Sequence, residues 1–351
     1  MKDLPNLDLL RAVAVLTVFV EHVLLAYNVQ YIGSWEVQWI GVVGVFIFFV
    51  HTALVLMWSL ERKPHTLDFY IRRIFRIYPL AILTICVVLL FHAPVGGTPA
   101  HFFRYLPPPG SHALIRAFLL IPNLGPPNPG YLPSGVMWSL PYEVQMYLLL
   151  PVVYFFVRSN FTLWPLLLLW LFDILVCETL FPGQPHNFFL VIPYFLPGIM
   201  AYIGFGRQKA VLPAWIFPFA LIALWGAFML HPGWRIANVL CLALGLGLPF
   251  FHQITRRPLM VVSHTIAKYS YGIYLAHPFS IVLGLYLMPH APLALQLTVM
   301  VVTTAAFAVA GYHLLEHPMI QLGARLAKRI EKRYEQHEHT AFNPIPEAEI
   351  R

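Results

Sequence analysis

Ten apolar runs of about 20 residues most constrain how this chain can fold. A helix that crosses a bilayer needs about 20 mostly apolar residues. Charged residues make up only 11% of the 351 residues, whereas a soluble domain has about 25%. We therefore predict an all-α, polytopic membrane bundle of about ten transmembrane helices. The runs cover residues 9–27, 39–58, 77–95, 136–157, 162–181, 188–206, 212–230, 236–251, 269–288 and 293–315.

The positions of the basic residues predict the orientation of the bundle. With the N-terminus inside, 18 of the 22 Lys and Arg residues fall in cytoplasmic regions. This asymmetry follows the positive-inside rule and predicts that both termini are cytoplasmic. The cytoplasmic regions are then the N-terminus, the connections 59–76, 158–161, 207–211 and 252–268, and the tail from 318.

The chain is interpreted as one membrane domain, residues 1–317, followed by a basic and polar tail, 318–351, that frays. The first run contains a charge and has no small-residue cleavage site after it, which favours a retained signal-anchor helix. The segment 113–122 is too short to span and is interpreted as re-entrant or interfacial.

The chain offers no cysteine or histidine pattern that points to a metal. Cys86, Cys177 and Cys241 all fall in apolar runs, so we expect buried small hydrophobes rather than disulfides. The stretch "HEH" at 337–339 is interpreted as part of a solvated tail. The basic residues are not gathered on a soluble module, so no nucleic-acid partner is expected.

The first apolar run carries Arg11, Glu21 and His22. A charge at the centre of an inserting helix costs roughly 2.5–3.5 kcal/mol. Arg11 and His22 are eleven residues apart, so they share a face about 16 Å apart along the axis, whereas Glu21 is rotated away. Asp8 lies on the same face as Arg11. Arg11 can also be explained as a snorkelling residue at the start of the helix. His22 can also be explained as a core histidine whose hydrogen bonds are satisfied within the bundle.

The stretch "FYIRRIFRIYP" places Arg73 and Arg76 three residues apart. In a helix this spacing puts both guanidinium groups on one side, where they suit a polyphosphate or an anionic headgroup. The alternative interpretation is ordinary charge that orients the chain in the membrane.

The stretch "WSLPYEVQMYLLLP" opens the fourth run and carries Glu143. Glu143 and His22 are both predicted near the outer side, where a carboxylate beside an imidazole suits general-base catalysis. Trp138, Tyr142 and Tyr147 can also be explained as interfacial aromatic residues.

Further polar residues fall in or beside later runs. The stretch "YSYGIYLAHP" contains Tyr274 and His277, and "LLEHP" contains Glu316 at the inner end of the last run. Asp173 is an intramembrane acid without a predicted partner, and His51 lies in the second run.

Five of these motifs together resemble the acyltransferase 3 family of integral membrane acyltransferases. They are Arg-x10-His in the first run, Arg-x-x-Arg before "IYP", "WSL…E…YL…P", "SYGIYL.H" and a final "EHP". The match extends from Leu7 to Pro318. The chain departs from the family pattern at "FFVHTA", where "FFVLSG" is common, and at Leu9, where glycine is frequent.

The resemblance implies an enzyme that transfers an acyl group from cytoplasmic acyl-coenzyme A, with acetyl as the first candidate. The donor is a substrate, and no permanently bound cofactor is expected. The acceptor implied is a hydroxyl of a lipid-linked or exported glycan in the envelope of a bacterium, with the protein in its cytoplasmic membrane. Membrane lipid is the other expected partner.

The resemblance also implies roles for single residues. Arg73 and Arg76 would hold the phosphates of the donor, and Arg11 would assist at the entrance of the cavity that receives it. His22 would deprotonate the acceptor hydroxyl or accept the acyl group itself, and Glu143 would orient or protonate His22. Supporting roles are expected for Asp8, Trp138, Tyr142, Tyr274, His277 and Glu316.

Intramembrane acids and histidines also build proton relays, so a proton-coupled transporter or a glycan or lipid flippase is the competing hypothesis. Paired cytoplasmic arginines and the lack of an internal repeat favour the enzyme.

Overall fold

The computed structural model describes residues 4–95, 105–125, 130–159, 162–180 and 191–341. The side chains at 159, 177, 178 and 333–341 lie outside this description, as do the predictions for Cys177 and for "HEH" at 337–339. The described α-helices are α1 Pro5–Ala26, α2 Gln38–Arg62, α3 Thr66–Phe91, α4 Ser111–Phe118, α5 Leu140–Ser159, α6 Trp164–Leu180, α7 Ile192–Arg207, α8 Ile216–Leu230, α9 Trp234–Gly247, α10 Arg257–Ile281, α11 Leu293–Gly311 and α12 His317–Ala341.

Short irregular elements join the helices. A two-stranded antiparallel hairpin, β1 Tyr31–Ile32 and β2 Trp35–Glu36, connects α1 to α2 and pairs Ile32 with Trp35. A 3₁₀ turn, Gly135–Ser139, precedes α5, and another, Leu248–Phe250, follows α9. Single π-helical segments, Val282–Tyr286 and Tyr312–Glu316, extend α10 and join α11 to α12.

The helices confirm an all-α membrane bundle. Five described helical segments are long and apolar enough to cross a membrane, and α6, α8 and α9 contain shorter apolar segments. Each of the ten predicted runs overlaps a helix. The number of spans and the orientation stay predictions. The five long segments are Pro5–Ala26, Gln38–Arg62, Thr66–Phe91, Gly135–Arg158 and Leu293–Lys332.

Several boundaries differ from the apolar runs because polar segments also pack. Helix α3 begins at Thr66 rather than residue 77, and α10 begins at Arg257 rather than residue 269. The segment after residue 317 is helical to Ala341, and its first turns pack on the bundle, where Gly323 lies against Phe75 of α3 and Ala327 is buried.

The prediction for one cysteine was wrong. Cys86 is exposed on α3, on the same outward side as Ile82 and Leu90, while Cys241 is buried as predicted. In a membrane bundle the outer side of a helix is as apolar as its inner side, because it faces lipid rather than water. An apolar run alone therefore does not tell which of its residues are buried.

Helix α1 occupies the centre of the site-bearing part of the bundle, packed against α2 and α10. Glycine allows the closest approaches, because small residues let membrane helices pack backbone to backbone. A side chain at Gly44 of α2 would overlap the Ala14 carbonyl of α1, and one at Gly198 of α7 would overlap the Val50 carbonyl of α2.

Polar side chains tie α1 and α10 to distant segments. The Asn6 amide donates to the His252 carbonyl at 3.0 Å and accepts from the Ile254 amide at 3.0 Å. The Tyr271 hydroxyl donates to the Ile77 carbonyl of α3 at 2.8 Å. These bonds set the depth of α1 and α10 relative to their neighbours.

Gly198→Ala is expected to destabilise the protein. The new methyl group would overlap a backbone carbonyl that cannot move cheaply, and overpacking of this kind typically costs about 1–3 kcal/mol. Thermal unfolding in detergent should show a melting temperature several degrees below that of the wild type. The control is Gly226→Ala in α8, where nothing lies within 4 Å of the added carbon. An equal effect in both variants would contradict the packing argument.

Candidate active site

A small cavity, here called the inner cavity, lies where α1, α2, α3, α5 and α10 meet. Its volume is about 60 Å³. Polar or aromatic lining residues come from all five of these helices, and they include Arg11, Thr52, Arg76, Glu143, Tyr147, Ser270, Tyr271 and Tyr274. An apolar bundle therefore encloses a polar centre.

Glu143 supplies the carboxylate of the inner cavity. It accepts a hydrogen bond from the hydroxyl of Tyr147, one turn later on α5. Arg11, Arg73 and Arg76 all lie within electrostatic reach of this carboxylate. The positive charge of these three guanidinium groups offsets the hydration that the half-buried carboxylate loses.

A second cavity, here called the basic cavity, has a volume of about 430 Å³. It lies between the first turns of α1, the last turns of α2, the start of α10 and the junction of α11 with α12. One carboxylate lines it, that of Asp8, which contacts Nδ1 of His264 at 2.9 Å. The positively charged or titratable lining residues are Arg11, Arg62, Arg76, Lys268, His51, His264 and His317.

Arg11 and Arg76 line both cavities. The Nε of Arg11 donates to the Ser270 hydroxyl of α10 at 2.6 Å, which holds the guanidinium between the two spaces. Glu316 is buried within electrostatic reach of both arginines. These two arginines therefore form a positively charged boundary between the two cavities, within electrostatic reach of the carboxylates of Glu143 and Glu316.

His22 contacts the side chain of its neighbour in the sequence. Its Nδ1 lies 2.5 Å from Oε2 of Glu21 and 2.9 Å from the carbonyl of Val18. From the sequence, Glu21 was predicted to be rotated away from the face of His22, and His22 and Glu143 were predicted to share a depth. In the structure Glu143 contacts Tyr147, and the carboxylate in contact with the imidazole is that of Glu21. A side chain at Gly41 of α2 would overlap this carboxylate, so the glycine leaves room for it.

Aromatic rings connect His22 to the inner cavity. The His22 and His277 ring centroids are 4.9 Å apart, and the His277 and Tyr274 centroids are 6.3 Å apart. Tyr274 lines the inner cavity, where its hydroxyl contacts Oγ of Ser139 at 2.9 Å. His22 itself lines neither cavity, and it is connected to the inner cavity through the rings of His277 and Tyr274.

Other predicted site residues lie outside both cavities. The guanidinium of Arg73 sits 5.7 Å from the Phe69 ring centroid. Trp138 and Tyr142 pack edge to face at 6.3 Å. Asp173 is buried on α6, and its Oδ2 has no hydrogen-bond partner within the described part of the chain.

From the sequence, no role was predicted for Glu21, Ser270 or Tyr271. The helical period held the signal for Ser270, because Ser270, Tyr274 and His277 are spaced at four and three residues and share one face of α10. No such signal existed for Glu21, whose contact depends on the space beside Gly41. Among the described residues, no three His, Cys, Asp or Glu side chains gather as a metal site.

Comparison with known proteins adds a relative of stated activity. The chain is 29% identical over 163 residues to "Acyltransferase MdmB" of Streptomyces mycarofaciens. The matched region covers 44% of this chain and only 40% of the length of that relative. No solved structure matches the chain.

The membrane helices and the polar cavities agree with the match to a family model. The model of the acyltransferase 3 family, described as "Acyltransferase domain", matches residues 4–313. This match covers nearly all of the helical bundle and confirms the resemblance drawn from the five motifs. The chain is therefore an integral membrane protein that belongs to the acyltransferase 3 family.

Proposed function

We propose that the chain is a membrane-bound acyltransferase. It transfers an acyl group, with acetyl as the first candidate, from cytoplasmic acyl-coenzyme A to a hydroxyl of a cell-envelope or exported glycan. The observation that carries the proposal is that Arg11 and Arg76 line both cavities. A phosphate-bearing donor in the basic cavity would meet these arginines and could extend past them. Family membership supports the acyl chemistry.

The proposed donor fits the dimensions of α1. Eleven residues separate Arg11 from His22, about 16 Å along the helix axis. The pantetheine arm of coenzyme A has the length of about four extended amino-acid residues, roughly 14 Å. Phosphates held by Arg11 and Arg76, with Arg73 adding positive charge from α3, would leave the thioester near the depth of His22.

His22 is the proposed catalytic base, with Glu21 as a positioning residue. If Nδ1–H donates to Glu21, the lone pair lies on Nε2, as carboxylate–imidazole pairs arrange it. Nε2 would take the proton of the acceptor hydroxyl while the hydroxyl oxygen attacks the carbonyl carbon of the thioester. The carbon–sulfur bond then breaks, and the proton passes to the leaving thiolate. A route through an acyl-imidazole at Nε2 stays open.

Glu143 and the remaining polar residues complete the proposed site. Glu143, held by Tyr147 on the inner cavity, would orient the reacting groups or supply a proton. Asp8 and Glu316 would support the arginines, and Tyr274 and His277 would line the path to His22. Trp138 and Tyr142 would hold the start of α5.

The same proposal includes a topology. Ten spans with both termini in the cytoplasm would place the basic cavity at the inner side and His22 nearer the outer side of a bacterial cytoplasmic membrane. Residues 1–317 would form the membrane domain and 318–351 a cytoplasmic extension. The acceptor glycan, free or lipid-linked, would then approach from the outer side.

His22→Ala is expected to lower acyl transfer by about 10²–10⁴-fold, the usual contribution of a general base. The measurement is transfer of labelled acetyl from acetyl-coenzyme A to envelope glycans in membranes that contain the protein. His290→Ala, at an exposed position between α10 and α11, is the matched control. Wild-type transfer by the His22 variant would refute its assignment, and no transfer by the wild type would favour transport.

Glu21→Gln is expected to lower kcat by about 10- to 100-fold, since a charged hydrogen bond to the imidazole is lost. The KM for acetyl-coenzyme A should stay near that of the wild type, because Glu21 lies far from the basic cavity. Glu21→Asp should recover part of the rate. A rise in KM with unchanged kcat would contradict the positioning role.

Arg76→Ala is expected to raise the KM for acetyl-coenzyme A by about tenfold or more, because a charged contact to phosphate is lost. Arg73→Ala should show the same direction with a smaller effect, since Arg73 lines neither cavity. Arg207→Ala, at the exposed end of α7, is the control. An unchanged KM in both variants would remove the arginines from donor binding.

A further inference from the structure

A third cavity, here called the apolar groove, lies between α3, α10 and α11, outside both cavities of the candidate active site. Its volume is about 500 Å³. Leu83, Phe307 and Leu314 line it and are exposed on the surface of the bundle. Because an exposed apolar residue of a membrane bundle faces lipid, the groove opens towards the surrounding lipid.

The chemistry of the lining selects the kind of occupant. A buried water needs about two to four polar partners. Thr84 is the one residue with a polar side chain in the described lining, and its hydroxyl already donates to the Leu80 carbonyl at 2.9 Å. A hydrocarbon chain needs no such partner. The groove therefore fits a hydrocarbon chain better than water or a polar ligand.

The groove runs along the helices rather than across them. On α10 and its π-helical extension the lining reaches from Gly272 to Leu283, eleven residues or about 16 Å. This length is about half of the roughly 30 Å hydrocarbon core of a bilayer. A chain in the groove therefore keeps the direction and the depth that it has in one leaflet of the membrane.

Close helix packing fixes the floor of the groove. Helix α10 with its extension runs antiparallel to α11, because Gly272 packs on Ala308 and Gly284 packs on Met300. The π-helical segment after α10 lines one end of the groove, and the one after α11 lines the other. Such segments are frequent at functional sites.

The apolar groove and the inner cavity share two walls. On α3, Ile77 lines the inner cavity and Leu80, almost one turn later, lines the groove. On α10, Tyr271 lines the inner cavity and the next residue, Gly272, lines the groove. The Tyr271 hydroxyl donates to the Ile77 carbonyl at 2.8 Å. The two spaces therefore lie on either side of the contact between α3 and α10.

One end of the groove leads to the residues near the proposed base. Val95 lines this end, and its carbonyl accepts from the Gly135 amide at 3.2 Å. Gly135 begins the 3₁₀ turn that supplies Ser139 to the inner cavity, where Oγ of Ser139 contacts the Tyr274 hydroxyl at 2.9 Å. A head group at this end lies beside the ring contacts that continue from Tyr274 towards His22.

We infer that the apolar groove binds the hydrocarbon chain of a lipid carrier to which the acceptor glycan is attached, with the sugar beside the turn Gly135–Ser139. The inference rests on the proposed function and deepens it, because it selects a lipid-linked glycan over a free one. The connection to the inner cavity favours a carrier over ordinary lipid. A phospholipid needs no route to the active site, whereas a lipid-borne sugar does.

The test compares one glycan in two forms as the acceptor. The lipid-linked fraction of the envelope glycans is extracted into organic solvent, and a portion is treated with mild acid, which removes the carrier. The wild type should transfer labelled acetyl to the lipid-linked form with kcat/KM about tenfold or more higher, because a bound chain raises the effective concentration of the attached sugar at the site.

Two substitutions obstruct the groove. Leu83→Trp and Ala310→Phe add bulk at exposed lining positions, so the preference for the lipid-linked form should fall towards one, with the KM for acetyl-coenzyme A unchanged. The matched controls are Ile82→Trp and Ala305→Phe, at exposed positions of the same helices outside the groove. Both controls should keep the wild-type preference. Because all four positions are exposed, the melting temperatures should match the wild type.

A labelling experiment that needs no turnover accompanies the kinetics. A fatty alkyl phosphate with a photoreactive group on its chain should label the groove-lining segments of α3, α10 and α11. An excess of the lipid-linked glycan fraction should reduce this labelling, whereas an excess of phosphatidylglycerol should not. Leu83→Trp should lower the labelling, and Ile82→Trp should leave it at the wild-type level.

The outcomes separate this inference from the proposed function. Equal use of both forms of the glycan by the wild type, or a preference that both groove variants retain, would overturn the carrier site while acyl transfer persists. Equal competition by phosphatidylglycerol would mean that the groove takes ordinary lipid and would overturn the inference as well. Absence of transfer to either form would contradict the proposed function itself.

Discussion

A charge in an apolar bundle is costly without a partner, and α1 carries three titratable groups under this constraint, Arg11, Glu21 and His22. Arg11 is held by Ser270 and faces Glu143 and Glu316, while Glu21 lies against His22. An uncompensated charge in hydrocarbon is costly on any scale. Helix α10 therefore has to lie where Ser270 meets Arg11. The position of α10, in turn, brings its aromatic face against His22.

Close helix packing and open cavities depend on each other in this bundle. Gly44 lets α2 approach the backbone of α1, and Gly41 leaves space for the Glu21 carboxylate. Towards the other end of the same pair of helices, Arg11 and Arg62 hold the walls of the basic cavity. Tight contact at one end and charge at the other give α1 an imidazole in contact with Glu21 and a positively charged entrance. This arrangement suits a reaction in which a polar donor delivers a reactive end to a partly buried base.

The proposed roles divide along the length of α1. The arginine boundary is where a donor would be held, and the ring contacts from Tyr274 to His277 lead to the carboxylate–imidazole pair. Removing the pair should change the chemical step, and removing boundary charges should change donor affinity. The separation of these effects follows from the roughly 16 Å between Arg11 and His22.

The apolar runs and the spacing of polar residues by themselves determined the helical membrane class and the shared face of Arg11 and His22. They did so because the length of an apolar run and the helical period are properties of one segment. Only the tertiary structure decided that Glu21 contacts His22, that Arg76 rather than Arg73 lines the cavities, and that Cys86 is exposed. These features depend on the depth and rotation of neighbouring helices, and in an apolar bundle the lipid-facing and buried sides of a helix carry the same kinds of residue.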